Sequence, residues 1–275
     1  MSTRITLLDV RIDVVDLWET MQFVREAIAS RRPHQIVTVN VDFLKLARGD
    51  TGYRHLLNTA DLAVADGMPL VWASRLMGMP LPQRITGMDL MLGCAELAAR
   101  EQRRMFFLGG TEGVAHQAAE RLQERFPGLI IGGVYAPPMG SFSPHEHARM
   151  VRCIREACPD MLFVAFGAPR QDIWIREHMA ELRVPVAVGV GGTFNFLAGR
   201  VRRAPVWMQD TGLEWLFRLQ QEPKRLWRRY LLQDLPVFFA LLAQPNNGEM
   251  AGRQRIGPSG QTIRTVSSPS SGRWH

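Results

Sequence analysis

The chain has little cysteine: three in 275 residues, Cys94, Cys153 and Cys158. Three thiols cannot build a disulfide framework and their spacing fits no zinc pattern, so a reducing compartment is expected. Small apolar side chains on helices are the plainer account of them. Also missing is any uncharged stretch near the roughly 18 residues of a membrane-crossing helix. The longest apolar block late in the chain, Leu235 to Ala243, is broken by Pro236. Asp9, Arg11, Asp13 and Asp16 fall where a secretory segment would need its apolar core, so no signal peptide is expected. Asp-x-Asp, His-Glu-x-x-His and Gly-x-x-x-x-Gly-Lys do not occur. The usual carboxylate pair for a divalent cation, the zincin helix and the P-loop are thereby excluded. His145-Glu146-His147 stands at a helix start, where solvent exposure is expected rather than metal binding.

What is present suits a folded protein. Hydrophobic residues make up 46% and charged residues 21%, too apolar for disorder. The length allows one large core or two modest ones. Lys and Arg total 33 against 26 Asp and Glu, a net charge of +7 with a pI of about 10.1. Nucleic acid, anionic lipid and a phosphorylated small molecule all fit that excess.

Short apolar runs alternate with amphipathic stretches. Strands are predicted at Gln35–Val41, Leu62–Ala65, Arg104–Leu108, Leu129–Val134, Asp160–Phe166 and Val184–Val190. Helices are predicted at Trp18–Ser30, Met68–Met77, Met88–Arg100, Gly113–Phe126, Pro144–Ala157 and Pro169–Leu182. The alternation reads as an α/β, Rossmann-like, mainly parallel sheet with helices on both faces. After about residue 200 the strands stop. Pro205–Gln220 and Pro223–Gln244 read as two helices rich in Arg and Trp, each opened by a proline. The expected organisation is a body over 1–200, a helical appendage over 201–243 and a disordered tail over 244–275. No internal repeat is visible.

In an open parallel sheet, ligands bind beyond the carboxyl ends of the strands. The loops there carry Thr38 and Asn40, then Asp66-Gly67, Gly109-Gly110 with Gly113, Gly167 to Gln171, and Gly189 to Thr193 with Gly191 and Gly192. Glycines between a strand and a helix let backbone N–H groups approach a phosphate; a tight structural turn accounts for each loop equally well. Asp66 stands at the tip of an apolar strand, either as a general base in a cleft or as the N-cap of the following helix. Between Arg200 and Tyr230 lie eight Lys or Arg against three Asp or Glu, which concentrates +5 of the +7 in one segment. Arginine forks suit diphosphates, and a solvated face or an anionic membrane surface would use the same charge.

Several motifs occur in one order. They are Thr38-x-Asn40, Ala65-Asp66-Gly67, Arg84-x-Thr86-Gly87-x-Asp89, Gly167-x-Pro169-x-Gln171 and Gly189-Val-Gly-Gly-Thr193. Arg203-Ala-Pro205 follows, then Gly212-Leu-Glu-Trp215-Leu-x-Arg218-Leu-x-x-Glu222-Pro223-x-Arg225. The set resembles the WecG/TagA/CpsF glycosyltransferase family, glycosyltransferase family 26, over about residues 5–240. The resemblance implies a bacterial enzyme, peripheral on the inner, cytoplasmic face of the plasma membrane. It would move a sugar from a UDP-sugar to a saccharide on a polyprenyl diphosphate, with inversion and with no required metal or other cofactor. In that frame Asp66 is the base and Arg84 holds the acceptor lipid's phosphate. Thr38, Asn40 and Gln171 line the sugar pocket, and Arg218, Arg225 and Arg228 close over the donor diphosphate. The glycines Gly109, Gly110, Gly191 and Gly192 then count as substrate contacts. Members commonly carry Asp where this chain has Asn195, in Gly192-Thr-Phe-Asn195-Phe. Met68-Pro-Leu-Val-Trp72 resembles the exopolysaccharide branch of xanthan glucosyltransferase type, which favours glucosyl transfer. An N-acetylmannosaminyl (or mannosaminuronate) donor is the alternative within the family. A non-catalytic nucleotide-binding module is the rival outside it, whereas the body offers no nucleic-acid motif. Homo-oligomerisation, acceptor length and linkage stay open.

Overall fold

Unbroken apolar runs become strands here because a strand covered by helices on both faces has no solvent side to keep polar. The computed structural model describes residues 3–138, 140–205, 207–208, 211–221, 223, 227 and 235–243. A small antiparallel hairpin comes first, β1 (Arg4–Leu7) with β2 (Val10–Asp13), followed by α1 (Leu17–Ser30). Then follow β3 (His34–Val39), α2 (Val41–Gly49), α3 (Thr51–Asn58), β4 (Leu62–Ala65), α4 (Met68–Leu76) and α5 (Gly87–Glu101). The second half of the body holds β5 (Arg104–Gly109), α6 (Val114–Arg125), β6 (Ile130–Tyr135), α7 (Pro144–Ala157), β7 (Met161–Ala165), α8 (Arg170–Leu182), β8 (Val186–Gly189) and α9 (Thr193–Leu197). Beyond it lie α10 (Glu214–Gln221) and α11 (Leu235–Leu242).

The six longer-range strands form one parallel sheet in the order β4-β3-β8-β7-β5-β6, the α/β arrangement expected. Alternate side chains of each strand serve opposite faces. Ile36, Phe107, Phe163 and Val188 share a core with α1, α5, α6 and α9. On the other face Val37, Val39, Ala63 and Ala65 pack with α2, α3, α4 and α11. Phe106, Leu108, Leu162 and Val164 pack there with α7 and α8. Helices that follow β3 and β7 therefore lie on one face, and those that follow β5 and β8 on the other. Neighbouring strands whose chains leave in opposite directions open a crevice between their loops.

Several elements depart from the sequence expectations. The first strand ends at Val39 rather than Val41, because Asn40 Oδ1 accepts from Phe43 N–H at 3.2 Å and starts α2. Helices α2 and α3 and the hairpin were not predicted. Asp50 splits the two helices: its backbone N–H closes α2, and its Oδ1 accepts from Gly52 and Tyr53 N–H at 2.8 and 3.0 Å to open α3. The hairpin is fixed by the buried Asp13. One of its oxygens accepts from Arg4 Nε at 2.8 Å and the other from Ala63 N–H in β4 at 2.9 Å. The helix predicted over Pro205–Gln220 is interrupted: Trp207 and Met208 are helical, Thr211 and Gly212 form a turn, and α10 then runs from Glu214 to Gln221. Gly212 turns the chain before it at φ +78°, where a Cβ would lie 2.6 Å from Trp72 Cζ2 and 2.9 Å from Met68 Cβ. Of the second appendage helix, Pro223, Trp227 and Leu235–Leu242 are described and helical; the predicted tail over 244–275 lies outside the described residues.

Phe107 sits at the centre of this packing, fully buried, edge-on to Phe163 and stacked on Phe194 at 5.2 Å between centroids. Phe107→Ala is expected to lower unfolding free energy by about 3–5 kcal/mol, as read from urea denaturation.

Candidate active site

The loops at the carboxyl ends of the strands are tied to one another across the sheet. Asp66 N–H donates to Val39 O at 2.7 Å, joining the tip of β4 to β3. Thr38 Oγ1, buried, reaches Gly189 O at 3.4 Å and joins β3 to β8. Val190 N–H donates to Val164 O at 2.9 Å, and Gly110 N–H to Ala165 O at 3.1 Å, linking β8 and β5 to β7. Ile85 N–H donates to Ala65 O at 2.8 Å, which lays the Arg84 segment beside the strand tip that bears Asp66. Thr38, Asn40, Asp66, Arg84, Gly109, Gly110, Gln171, Gly191 and Gly192 are thus brought to one edge of the sheet.

Glycine is required in two of these loops. At Gly109, φ is +98° and a Cβ would lie 2.8 Å from Ala165 O. At Gly189, inside β8, a Cβ would lie 2.5 Å from Gln171 Nε2 and 2.6 Å from Asp172 Oδ1. Gln171 is buried, and its Oε1 accepts from both Gly167 N–H at 3.1 Å and Gly191 N–H at 2.9 Å. It acts as a clasp between two loops, a job the sequence did not reveal. Asn195 lies half-buried in α9, where its carbonyl accepts from Arg200 N–H at 2.9 Å.

Asp66 is half-buried and stands one residue before the N-cap of α4. The N-cap of α4 is Gly67, at φ 141°, with Pro69 in the first turn. The Arg84-x-Thr86-Gly87-x-Asp89 motif is in part a capping box: Thr86 Oγ1 accepts from Asp89 N–H, and Asp89 Oδ2 accepts from Thr86 N–H, at 3.1 and 3.0 Å. Asp89 Oδ1 also takes Arg203 Nη2 at 2.9 Å. Burial would raise the Asp89 carboxyl, but the Thr86 backbone N–H, the Arg203 guanidinium and the Thr86 hydroxyl together hold it below its ordinary value.

Arg84 pairs with Glu214 of α10, Nη1 to Oε2 at 2.6 Å, with both side chains largely buried. The two ion pairs, Arg84–Glu214 and Arg203–Asp89, dock the start of the appendage on the body. An open groove of about 580 Å³ runs past them, lined by Met68, Val71, Arg75, Arg84, Asp89 and Phe126 among others. Arg218 belongs to α10, while Arg225 and Arg228 lie outside the described residues. Among the described residues no group of three His, Cys, Asp or Glu side chains is arranged to hold a metal ion. No described helix is long and apolar enough to cross a membrane. Trp207, Trp215, Trp227 and Phe239 are exposed, whereas Val237 and Leu241 of α11 are buried against α2 and α4.

The model of the Glycosyl transferase WecG/TagA/CpsF family matches residues 5–250. The chain belongs to that family. It is therefore a glycosyltransferase. An N-acetylglucosaminyldiphosphoundecaprenol N-acetyl-beta-D-mannosaminyltransferase of Staphylococcus aureus (strain MW2) is 30% identical over 251 residues, covering 88% of this chain and 93% of the relative. A protein of the same name from Bacillus spizizenii is 35% identical over 196 residues, covering 71% of this chain and 74% of the relative. These names stand closer to the mannosaminyl alternative than to the glucosyl, exopolysaccharide reading drawn from Met68–Trp72.

A buried acid lies directly behind the clasp. Asp172, next to Gln171, accepts from Tyr53 Oη at 2.9 Å. Burial pushes its carboxyl up to about 7, against the hydrogen bonds of Tyr53, its own backbone N–H and Gln171, which favour the charged form. Burial first, and then the neighbouring Asp172 charge, raise the Tyr53 phenol far above its ordinary value, so it stays a donor. Because the folded state keeps the Asp172 proton longer than the unfolded chain, its contribution to stability is full below pH 3.8 and is lost as pH rises toward about 7. Thermal melts from pH 4 to 7 are expected to show Asp172→Asn gaining on wild type as pH rises. A constant difference across the range would contradict this account.

Proposed function

We propose that this glycosyltransferase moves a sugar from a UDP-sugar to a saccharide carried on a polyprenyl diphosphate, with inversion and without a required metal. The relatives' names support N-acetylmannosamine as the sugar and an N-acetylglucosaminyl diphospho-undecaprenol as the acceptor. The observation that carries the reading is the join at the tip of β4. The Ile85–Ala65 hydrogen bond lays the segment bearing Arg84, whose side chain is largely buried, against the strand tip that bears the half-buried Asp66. In this reading Asp66 takes the proton of the acceptor hydroxyl, whose oxygen attacks the anomeric carbon from the face opposite the diphosphate. The bond to UDP breaks, its electron pair leaves on the diphosphate, and Arg218, Arg225 and Arg228 offset that charge. Arg84 takes the acceptor's phosphate, which has to exchange with Glu214 for the same guanidinium. Thr38, Asn40, Gln171 and the four loop glycines border the sugar nucleotide.

The polyprenyl anchor implies work at the inner face of a plasma membrane. The exposed Trp207, Trp215, Trp227 and Phe239, beside the basic segment, support contact with an anionic surface.

Asp66→Asn is expected to lower transfer by about 10²–10⁴-fold while UDP binding and Tm stay at wild-type values. Residual transfer near wild type would remove the base role. A panel of UDP-N-acetylmannosamine, UDP-N-acetylmannosaminuronate and UDP-glucose, offered with a short-chain polyprenyl-diphosphate N-acetylglucosamine and read by mass spectrometry, identifies the donor. Turnover unchanged by EDTA is expected; its loss would reveal a metal requirement. Flotation of the full chain with anionic and neutral vesicles is expected to recover it with the anionic ones alone.

A further inference from the structure

We infer that Tyr53 and Asp172 form a buried positioning pair that holds the Gln171 carboxamide in one orientation and thereby sets the distance between the Gly167 and Gly191 loops. The inference rests on the reading of those loops as the border of the sugar-nucleotide site, and it adds two positioning residues to it.

A carboxamide can flip by half a turn without changing its shape, so something must decide which end faces the loops. On the loop side Gln171 meets two donors, Gly167 N–H and Gly191 N–H, and both go to Oε1. On the far side Nε2 and Asp172 Oδ1 both crowd the space that a Cβ on Gly189 would take. A flip would therefore aim an NH₂ group at two N–H donors and an oxygen at the Asp172 carboxyl. The two glycine contacts would become unfavourable, and the third would too while Asp172 is charged; the Gln171 and Asp172 side chains are buried, where such mismatches are costly.

Asp172 is itself held from two directions. Tyr53 donates to Oδ2 from α3, and Gln35 Nε2 in β3 donates to its backbone carbonyl at 2.9 Å. Asp172 Oδ1 meets no hydrogen-bond donor of good geometry among the described residues, and the Gln171 carboxamide is the polar group beside it. A wholly buried acid with one oxygen satisfied by a phenol is expensive as scaffolding alone. Its remaining oxygen faces a carboxamide that joins two glycine loops, which gives the arrangement a purpose. Tyr53 lies on α3, packed among Phe43, Leu56 and Leu57, so it touches no substrate and acts only through Asp172.

The test uses the full chain carrying Tyr53→Phe, which removes one hydroxyl and keeps the ring. Backbone hydrogen exchange at Gly167 and Gly191 is expected to quicken by about tenfold relative to neighbouring amides. KM for the UDP-sugar is expected to rise about fivefold to tenfold while KM for the lipid-linked acceptor stays within about twofold. Leu122→Ala, buried in α6 on the opposite face, serves as a purely destabilising control. If Tyr53→Phe quickens all amides alike, as that control does, or leaves both glycine amides and donor KM unchanged, the inference is wrong. Should Tyr53→Phe fail to fold, Asp172→Ala is measured in the same way with the same expected pattern. If the wild-type chain transfers no sugar at all, the functional reading fails, and the exchange measurement still decides whether the pair sets the loops.

Discussion

Burial of the sheet on both faces is the constraint from which the rest of the molecule follows. Strands such as Met161–Ala165 and Val186–Gly189 are almost wholly removed from water, so their side chains are apolar and carry no chemistry. Polar groups are confined to the ends of the strands, where the backbone turns toward a helix. At the carboxyl edge those turns are cross-linked by main-chain bonds between β4 and β3 and between β7 and both its neighbours, with Thr38 and Gln171 completing the row. The edge is a preorganised border rather than a set of independent loops, which is what differential binding of a charged transition state needs.

The appendage gives the positive charge a more specific meaning than composition could. Arg203 is engaged with Asp89, and Glu214 of the same segment neutralises Arg84 on the body. Part of the basic excess is thus used internally to fasten the segment, with Gly212 seated against Trp72 and Met68 to allow the close approach. A guanidinium already paired with a carboxylate is screened from casual anions and yields only to a ligand that competes well. Such a counter-ion favours selectivity over raw affinity.

How much of this could be read beforehand depended on the range of the interactions. The sheet strands, and the collection of Thr38, Asn40, Asp66 and the glycines at one edge, are legible because local hydrophobic runs and turn residues encode them. The Thr86–Asp89 capping box is also local, and the same residues that form the family motif start α5. The hairpin escaped because it depends on Asp13 reaching Ala63, fifty positions along the chain, and its two strands are only four residues each. Gln171 was placed at the site but not as a clasp, since joining Gly167 to Gly191 follows no periodicity. Tyr53 and Asp172 were missed altogether: a tyrosine on one helix and an aspartate on another signal nothing until the fold brings them together.

The bond from Ala63 N–H to the carboxylate of Asp13 carries a consequence for self-association. Strand β4 is an outer strand of the sheet, and such a strand normally offers its main chain as a template for another. Here one template donor is already occupied by a side chain, and the hairpin lies across that margin. The opposite margin, β6, pairs with β5 through a register shift between Met105 and Phe106 and carries Gly132 and Gly133. An irregular, glycine-bearing strand is a poor surface for continuous ladder formation. Both rims of the sheet are thus blunted against lengthening, so copies of this chain that meet would do so through side chains rather than by extending one another's β-structure.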